Sequence, residues 1–179
     1  MRALILGGAK SGKSSLAQSL CFKLTNTCNR YYWATMEPVD NEDMARIKRH
    51  IEDRDGLDFQ TIEKGRDILG CPLPQNISSG GVLFDSITAY LGNEMFHDNA
   101  VNKNAGELCT ISLLKLSLRC GNFITVCDDM WQDGLEYEET TVNYAKSLAL
   151  ICRRLAKEFD IVCEMAAGVP NVLKGRLSL

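Results

Sequence analysis

Gly7-Gly8-Ala9-Lys10-Ser11-Gly12-Lys13-Ser14 is a complete G-x-x-x-x-G-K-[ST] loop, and the patterns on either side of it give it meaning. Before it, Ala3-Leu4-Ile5-Leu6 is an apolar run of strand length. After it, Leu16, Ala17, Leu20, Cys21 and Leu24 recur at the period of a helix packed on a sheet. A strand feeding a glycine-rich turn into a helix makes successive backbone N–H groups and the positive end of the helix converge, and a phosphate is held there. Residues 7–14 are therefore expected to bind nucleotide phosphates. Lys13 reaches the β- and γ-phosphates, and the Ser14 hydroxyl ligates Mg²⁺.

The alternation continues downstream. Arg30-Tyr31-Tyr32-Trp33-Ala34-Thr35 has the aromatic character of a second strand, and a helix is expected near Asn41 to Arg54. Leu57 to Glu63 form a short strand, turns follow around Gly70 to Pro74 and Ser78 to Gly81, and Val82-Leu83-Phe84-Asp85 is a buried strand. Leu108, Ile111, Leu114 and Leu118 mark the packed face of a helix, and Phe123 to Cys127 is the next strand. Val142, Ala145, Leu148, Cys152, Leu155 and Phe159 trace a long amphipathic helix, and Ile161 to Ala166 supply the last strand before Gly168 and Pro170. This order predicts a three-layer α/β sandwich of the P-loop NTPase, RecA-like type. Its central sheet is mainly parallel, with the ligand at the carboxyl ends of the strands. A length of 179 residues fits one domain, spanning 1–179.

Composition narrows the partners. Lys and Arg total 20 against 23 Asp and Glu, so bulk charge supports neither a nucleic acid nor an anionic membrane surface, and a small polar substrate fits better. Met1-Arg2 leads straight into the first strand, and no apolar stretch approaches the roughly 20 residues of a membrane span, which points to a cytoplasmic protein. The eight cysteines include no C-x-x-C pair and have only two histidines for company. They read as buried free thiols rather than metal ligands.

Two further positions carry chemistry. Asp85 ends a buried strand, where a P-loop enzyme places the acid that holds water on Mg²⁺. His50 borders the stripe Met44, Ile47, Ile51 on the 41–54 helix, amid Arg46, Lys48, Arg49 and Arg54. These cations favour the neutral, nucleophilic imidazole and attract a triphosphate, and a histidine beside a nucleotide can carry a nucleotidyl group covalently.

Together these blocks resemble the bifunctional adenosylcobinamide kinase/adenosylcobinamide-phosphate guanylyltransferase family of cobalamin biosynthesis. The resemblance rests on the 7–14 loop, Tyr32-Trp33-Ala34-Thr35, Asp43 to His50, Thr61-Ile62-Glu63, Val82 to Thr88 with Asn93, and Ala167 to Gly175. It implies phosphorylation of adenosylcobinamide by ATP or GTP, then transfer of GMP from GTP to the corrinoid phosphate through a guanylylated His50. It implies that Gly7, Gly8, Ala9, Lys10, Ser11, Gly12, Lys13 and Ser14 hold phosphates and that Ala34, Thr35 and Met36 line the nucleotide site. Ile51, Glu52, Asp53 and Arg54 continue the site, Glu63 and Asp85 contact the nucleotide, and the chain assembles as a homotrimer.

The match departs where the family usually has Asn-Glu-Val-Gly and a later stretch with arginines. Here stand Cys127-Asp128-Asp129-Met130-Trp131 and Gly134-Leu135-Glu136-Tyr137-Glu138-Glu139-Thr140, with Ile151-Cys152 in the last helix. The loop and Asp85 alone also fit another small-molecule kinase in which His50 is incidental. The altered 128–140 segment fits a diverged member with part of the chemistry, or a nucleotide-gated binding module.

Overall fold

In the computed structural model, which describes residues 1–25, 29–98, 100–130 and 137–177, the chain runs β1 (Arg2–Gly7), α1 (Lys13–Leu24), β2 (Arg30–Ala34), α2 (Asn41–Glu52), β3 (Phe59–Glu63), β4 (Gly81–Asp85), α3 (Ile87–Met95), β5 (Phe96–His97), β6 (Ala100–Val101), α4 (Ala105–Arg119), β7 (Asn122–Asp128), α5 (Glu139–Glu158), β8 (Ile161–Ala166) and β9 (Val169–Lys174). Seven strands form one sheet in the order β3-β2-β4-β7-β1-β8-β9, and β5 and β6 make a separate small hairpin. β1 has parallel neighbours on both sides, with Ala3 opposite Ile124 of β7 and Ile161 of β8. A strand covered on both faces has no polar side to show, which is why Ala3, Leu4 and Ile5 are consecutive and fully buried. This is the expected α/β sandwich around a mainly parallel sheet.

Two cores clasp the sheet. On one face α1 presses Leu16, Ala17, Leu20 and Cys21 onto Ala3, Ile5, Ile124 and Val126. On the other, α3, α4 and α5 bring Leu91, Leu113, Leu116, Leu148, Ile151 and Leu155 against Leu4, Phe84, Phe123 and Val162. The aromatic row Trp33–Phe84–Phe123–Phe159 runs through the second core with centroid spacings of 6.0, 5.9 and 6.1 Å. Among the described residues, no helix is long and apolar enough to cross a membrane.

The helix expected around residue 111 is present as α4, but its packed face is a different one. Leu108, Ile111 and Leu118 are exposed and Leu114 is only partly covered, whereas Cys109, Thr110, Leu113, Leu116 and Ser117 are buried. Lys115 stands in the middle of the leucine stripe, and burying that stripe would bury an unpaired ammonium. The buried face sets small residues, Ala105, Gly106, Cys109, Thr110 and Ser117, around Leu113 and Leu116. A Cβ on Gly106 would lie 2.8 Å from Ser147 Cβ, so glycine lets α4 approach α5 closely. Thr110 and Ser117 can be hidden because their hydroxyls donate to Gly106 O at 2.7 Å and Leu114 O at 2.8 Å.

The chain also does not end its sheet at β8. Ala167 and Gly168, both at positive φ, form a two-residue turn that brings β9 back antiparallel, with Pro170 opposite Met165. Proline is tolerated there because β9 is an edge strand. Helix α3 was not foreseen either. Ser86 caps it, its hydroxyl accepting from Ala89 N at 3.2 Å.

Cys21, Cys109, Cys120, Cys127, Cys152 and Cys163 are buried and unbridged, Cys71 is partly exposed, and Cys28 lies outside the described residues. Burial pushes the thiols of Cys21, Cys109 and Cys120 up to about 12 and that of Cys127 well above its ordinary value. A thiol reagent applied to the native protein is therefore expected to modify Cys71 readily and these four only after denaturation, as read by peptide mass spectrometry. Modification of Cys109 or Cys127 in the folded protein would contradict the packing.

Candidate active site

The phosphate loop leaves the carboxyl end of β1 and turns into α1 at Gly12. Gly12 has φ 93°, which a glycine adopts without strain, and a Cβ there would stand 3.3 Å from Met165 Cε. Ser11 N donates to Gly8 O at 3.2 Å and Ser11 O accepts from Gly168 N at 3.2 Å, so the loop is braced against the β8–β9 turn. Ser11 Oγ is buried without a hydrogen-bond partner. Lys13, 9% exposed, folds back over the loop; its Nζ donates to Gly8 O at 3.1 Å and pairs with Asp128 Oδ1 at 2.7 Å. Gly7, Gly8, Ala9, Lys10 and Ser11 line a shallow depression of about 530 Å³ together with Asp129, Met130 and the end of β8. Residues 131–136 of the altered segment lie outside the described residues.

Asp85 ends β4, on the far side of β7 from the loop strand. Tyr32 OH donates to Asp85 Oδ2 at 2.8 Å. Burial pushes the Asp85 carboxyl above the ordinary carboxylate range and Asp128 adds to this; the charge of His50, the Tyr32 hydroxyl and Lys13 pull it back. Asp85 is thus within electrostatic reach of both the loop lysine and the histidine. Behind it, Thr35 is fully buried, its N donating to Asp85 O at 3.1 Å, its Oγ1 accepting from Ser86 N at 2.7 Å. Asn93 Nδ2 donates to Thr35 O at 2.7 Å and to Gly65 O at 3.1 Å, fixing the turn after β3 to the same corner.

Helix α2 starts at Asp40, which caps it by accepting from Asp43 N at 2.9 Å. None of its twelve described residues is buried, although Met44, Ile47 and Ile51 repeat at core spacing. The stripe faces a cavity of about 820 Å³ instead of the core. Tyr32, Ala34, Met36, His50, Arg54, Glu63 and Asp85 also line that cavity. Nδ1 of His50 is buried without a hydrogen-bond partner. Arg54 anchors the end of the helix: Nη1 donates to His50 O at 2.6 Å, Nη2 to Thr61 Oγ1 at 3.4 Å, and the guanidinium lies 3.9 Å from the centre of the Tyr32 ring.

Of the residues expected from the sequence, the structure gathers Ala34, Met36, His50, Ile51, Arg54, Glu63 and Asp85 around one cavity, with Thr35 bracing its wall. Glu52 points outward toward Lys48 at 3.9 Å, and Asp53 caps the end of α2. Arg46 faces Glu42 at 3.9 Å on the helix surface, so of the basic group around His50 it is Arg54 that turns inward. Tyr32 was not foreseen as a site residue. Its signal was its place two residues before Ala34, which puts both side chains on the same side of β2.

A family model described as cobinamide kinase / cobinamide phosphate guanyltransferase matches residues 3–173. The chain belongs to this family. Membership makes it a kinase and nucleotidyltransferase of cobalamin biosynthesis, in keeping with the resemblance carried by the loop, the His50 helix and the carboxyl-terminal block. A curated relative, the bifunctional adenosylcobalamin biosynthesis protein CobP of Pseudomonas aeruginosa, is 26% identical over 175 residues, covering 98% of each chain. Among solved structures, the flagellar accessory protein FlaH of Methanocaldococcus jannaschii aligns over 97% of this chain and 78% of its own, with a TM-score of 0.49 and 14% identity.

Proposed function

We propose that residues 1–179 form one nucleotide-binding domain that phosphorylates adenosylcobinamide with a nucleoside triphosphate. The same domain then transfers GMP from GTP to the resulting phosphate, with His50 as the covalent carrier. The observation that carries this reading is the position of His50. Its imidazole lines a cavity of nucleotide size, with a buried unpartnered nitrogen, beside an aspartate that also feels the loop lysine.

In the first reaction the side-chain hydroxyl of the corrinoid attacks the γ-phosphorus. The β–γ bridging bond breaks, the nucleoside diphosphate leaves and the hydroxyl proton is released. Lys13 and the N–H groups of residues 8–14 offset the charge that spreads over the phosphoryl oxygens. In the second, the lone pair of a His50 ring nitrogen attacks the α-phosphorus of GTP, the bond to the β-phosphate oxygen breaks and pyrophosphate departs. An oxygen of the corrinoid phosphate then attacks the same phosphorus, and the N–P bonding pair returns to the ring.

Among the described residues, no three acids, histidines or cysteines converge into a protein-only metal site. A serine hydroxyl and strand-end carboxylates beside a phosphate loop are nonetheless the donor set magnesium uses, since phosphates and water supply the rest. Ser14 and Asp85 would hold the ion, which when bound neutralises the phosphate oxygens. Incubation with Mg²⁺ and GTP radiolabelled at the α-phosphate is expected to leave an acid-labile, base-stable label on the protein, discharged by adenosylcobinamide phosphate. A protein that turns over neither corrinoid and takes up no label would remove the reading.

Tyr32 has a positioning part in it. Burial, then Asp85, push its hydroxyl above the ordinary value, so it stays a proton donor to the carboxylate. Tyr32→Phe keeps the ring under Arg54 and removes that bond, and Asp85 then ionises at higher pH. The acid limb of the activity profile is expected to move upward, with kcat falling about three- to tenfold at neutral pH. An unmoved limb would show that the hydroxyl has no such part.

A further inference from the structure

Asp128 closes β7 directly beside the loop strand, in register with Gly7 across the β1–β7 pair. Its position is fixed from two sides: Asp128 N donates to Thr88 Oγ1 at 2.9 Å, and Asp129 N donates to Gly7 O at 3.1 Å. The carboxylate therefore meets Lys13 Nζ at 2.7 Å on a backbone that holds it there. Lys13 is 9% exposed, and its ammonium has Gly8 O as its other partner. The pair is short and charge-assisted, with its cation sheltered and its carboxylate partly open to solvent, and it occupies the cation that a phosphate requires. Across β4–β7, the Asp85 carboxyl feels Asp128 as a like charge.

We propose that Asp128 is the resident counter-anion of Lys13, and that it makes nucleotide binding depend on a divalent cation. A bare triphosphate brings several negative charges to a corner that already holds two carboxylates, and must strip Lys13 from one of them. A divalent ion gives the displaced carboxylate a new partner and removes the repulsion at the same moment. Asp128 is thus a positioning residue for the nucleotide, acting through Lys13. This inference rests on the reading of residues 7–14 as the phosphate cradle.

The test is calorimetric titration of GTP into wild type, Asp128→Asn and Asp128→Ser, once in EDTA and once with MgCl₂. Asparagine keeps the shape and an oxygen for Lys13 but carries no charge, and serine is a smaller neutral check on packing. Both variants are expected to bind metal-free GTP at least about tenfold tighter than wild type and to lose most of the gain that Mg²⁺ confers. Variants that bind GTP with the wild-type affinity and the wild-type response to Mg²⁺ overturn the role of Asp128 and leave the cradle standing. If no protein in the set binds GTP under either condition, the cradle itself falls and the inference with it.

Discussion

His50→Ala is expected to abolish the covalent guanylyl label by more than about a thousandfold, while phosphorylation of adenosylcobinamide stays within about tenfold of wild type. The asymmetry follows from where the residues sit. Loop, Lys13 and Asp85 are placed by β1, α1 and β4, the buried centre of the sheet, and phosphoryl transfer to a hydroxyl asks for nothing beyond charge and alignment. Histidine comes from α2, outside that centre, and in the proposed mechanism its one irreplaceable contribution is a nitrogen that can bond to phosphorus. Protein denatured at alkaline pH after incubation with α-labelled GTP reads the first effect, and product formation from unphosphorylated corrinoid reads the second. Undiminished label on the variant would assign the carrier role to another residue; loss of both reactions together would mean that His50 shapes the cavity rather than reacting in it.

Asp85→Asn is expected to push activity and stability in opposite directions. Activity falls by about 10²–10³ in kcat, because a charge aimed at the phosphates is lost from a sheltered position. Stability without nucleotide rises. The folded carboxyl ionises at higher pH than the unfolded one, chiefly through burial, so above its folded pKa the ionised group costs the fold something that the neutral amide does not. Below the ordinary carboxylate range, near pH 4, both side chains are neutral in both states and the two melting curves should converge. At neutral pH the variant should melt higher, by about 2–4 °C for each kcal/mol relieved in a chain of this size. A variant that melts lower at neutral pH would mean that His50, Lys13 and Tyr32 together outweigh burial.

The parts of the fold that were legible are those whose chemistry is local. β1, the loop and α1 could be read because a strand buried on both faces is apolar throughout and a phosphate turn demands glycine at fixed places. Where two solutions shared one periodicity, reading failed. α4 carries apolar residues on two faces, and its orientation was decided by Gly106 against Ser147 and by the solvation of Lys115. β9 was hidden because its proline and glycine read as an ending, although an edge strand after a two-residue turn accommodates both. Of the residues proposed for the site, Lys13 was named from the loop, Asp85 from its strand end, and His50 from its place beside an apolar helix stripe among cations and from the family resemblance. The Tyr32–Asp85 hydrogen bond and the Arg54 stack could not, since each joins elements whose adjacency depends on the strand order.

Helix α2 presents its oily stripe to an open cavity and keeps none of its residues in the core, so what fastens it is a cap at one end and Arg54 at the other. Such an element draws its firmness from whatever fills the space beneath it. A nucleotide bound there would then double as a missing piece of architecture: part of its intrinsic affinity would go into seating His50, and the measured dissociation constant would report only the remainder.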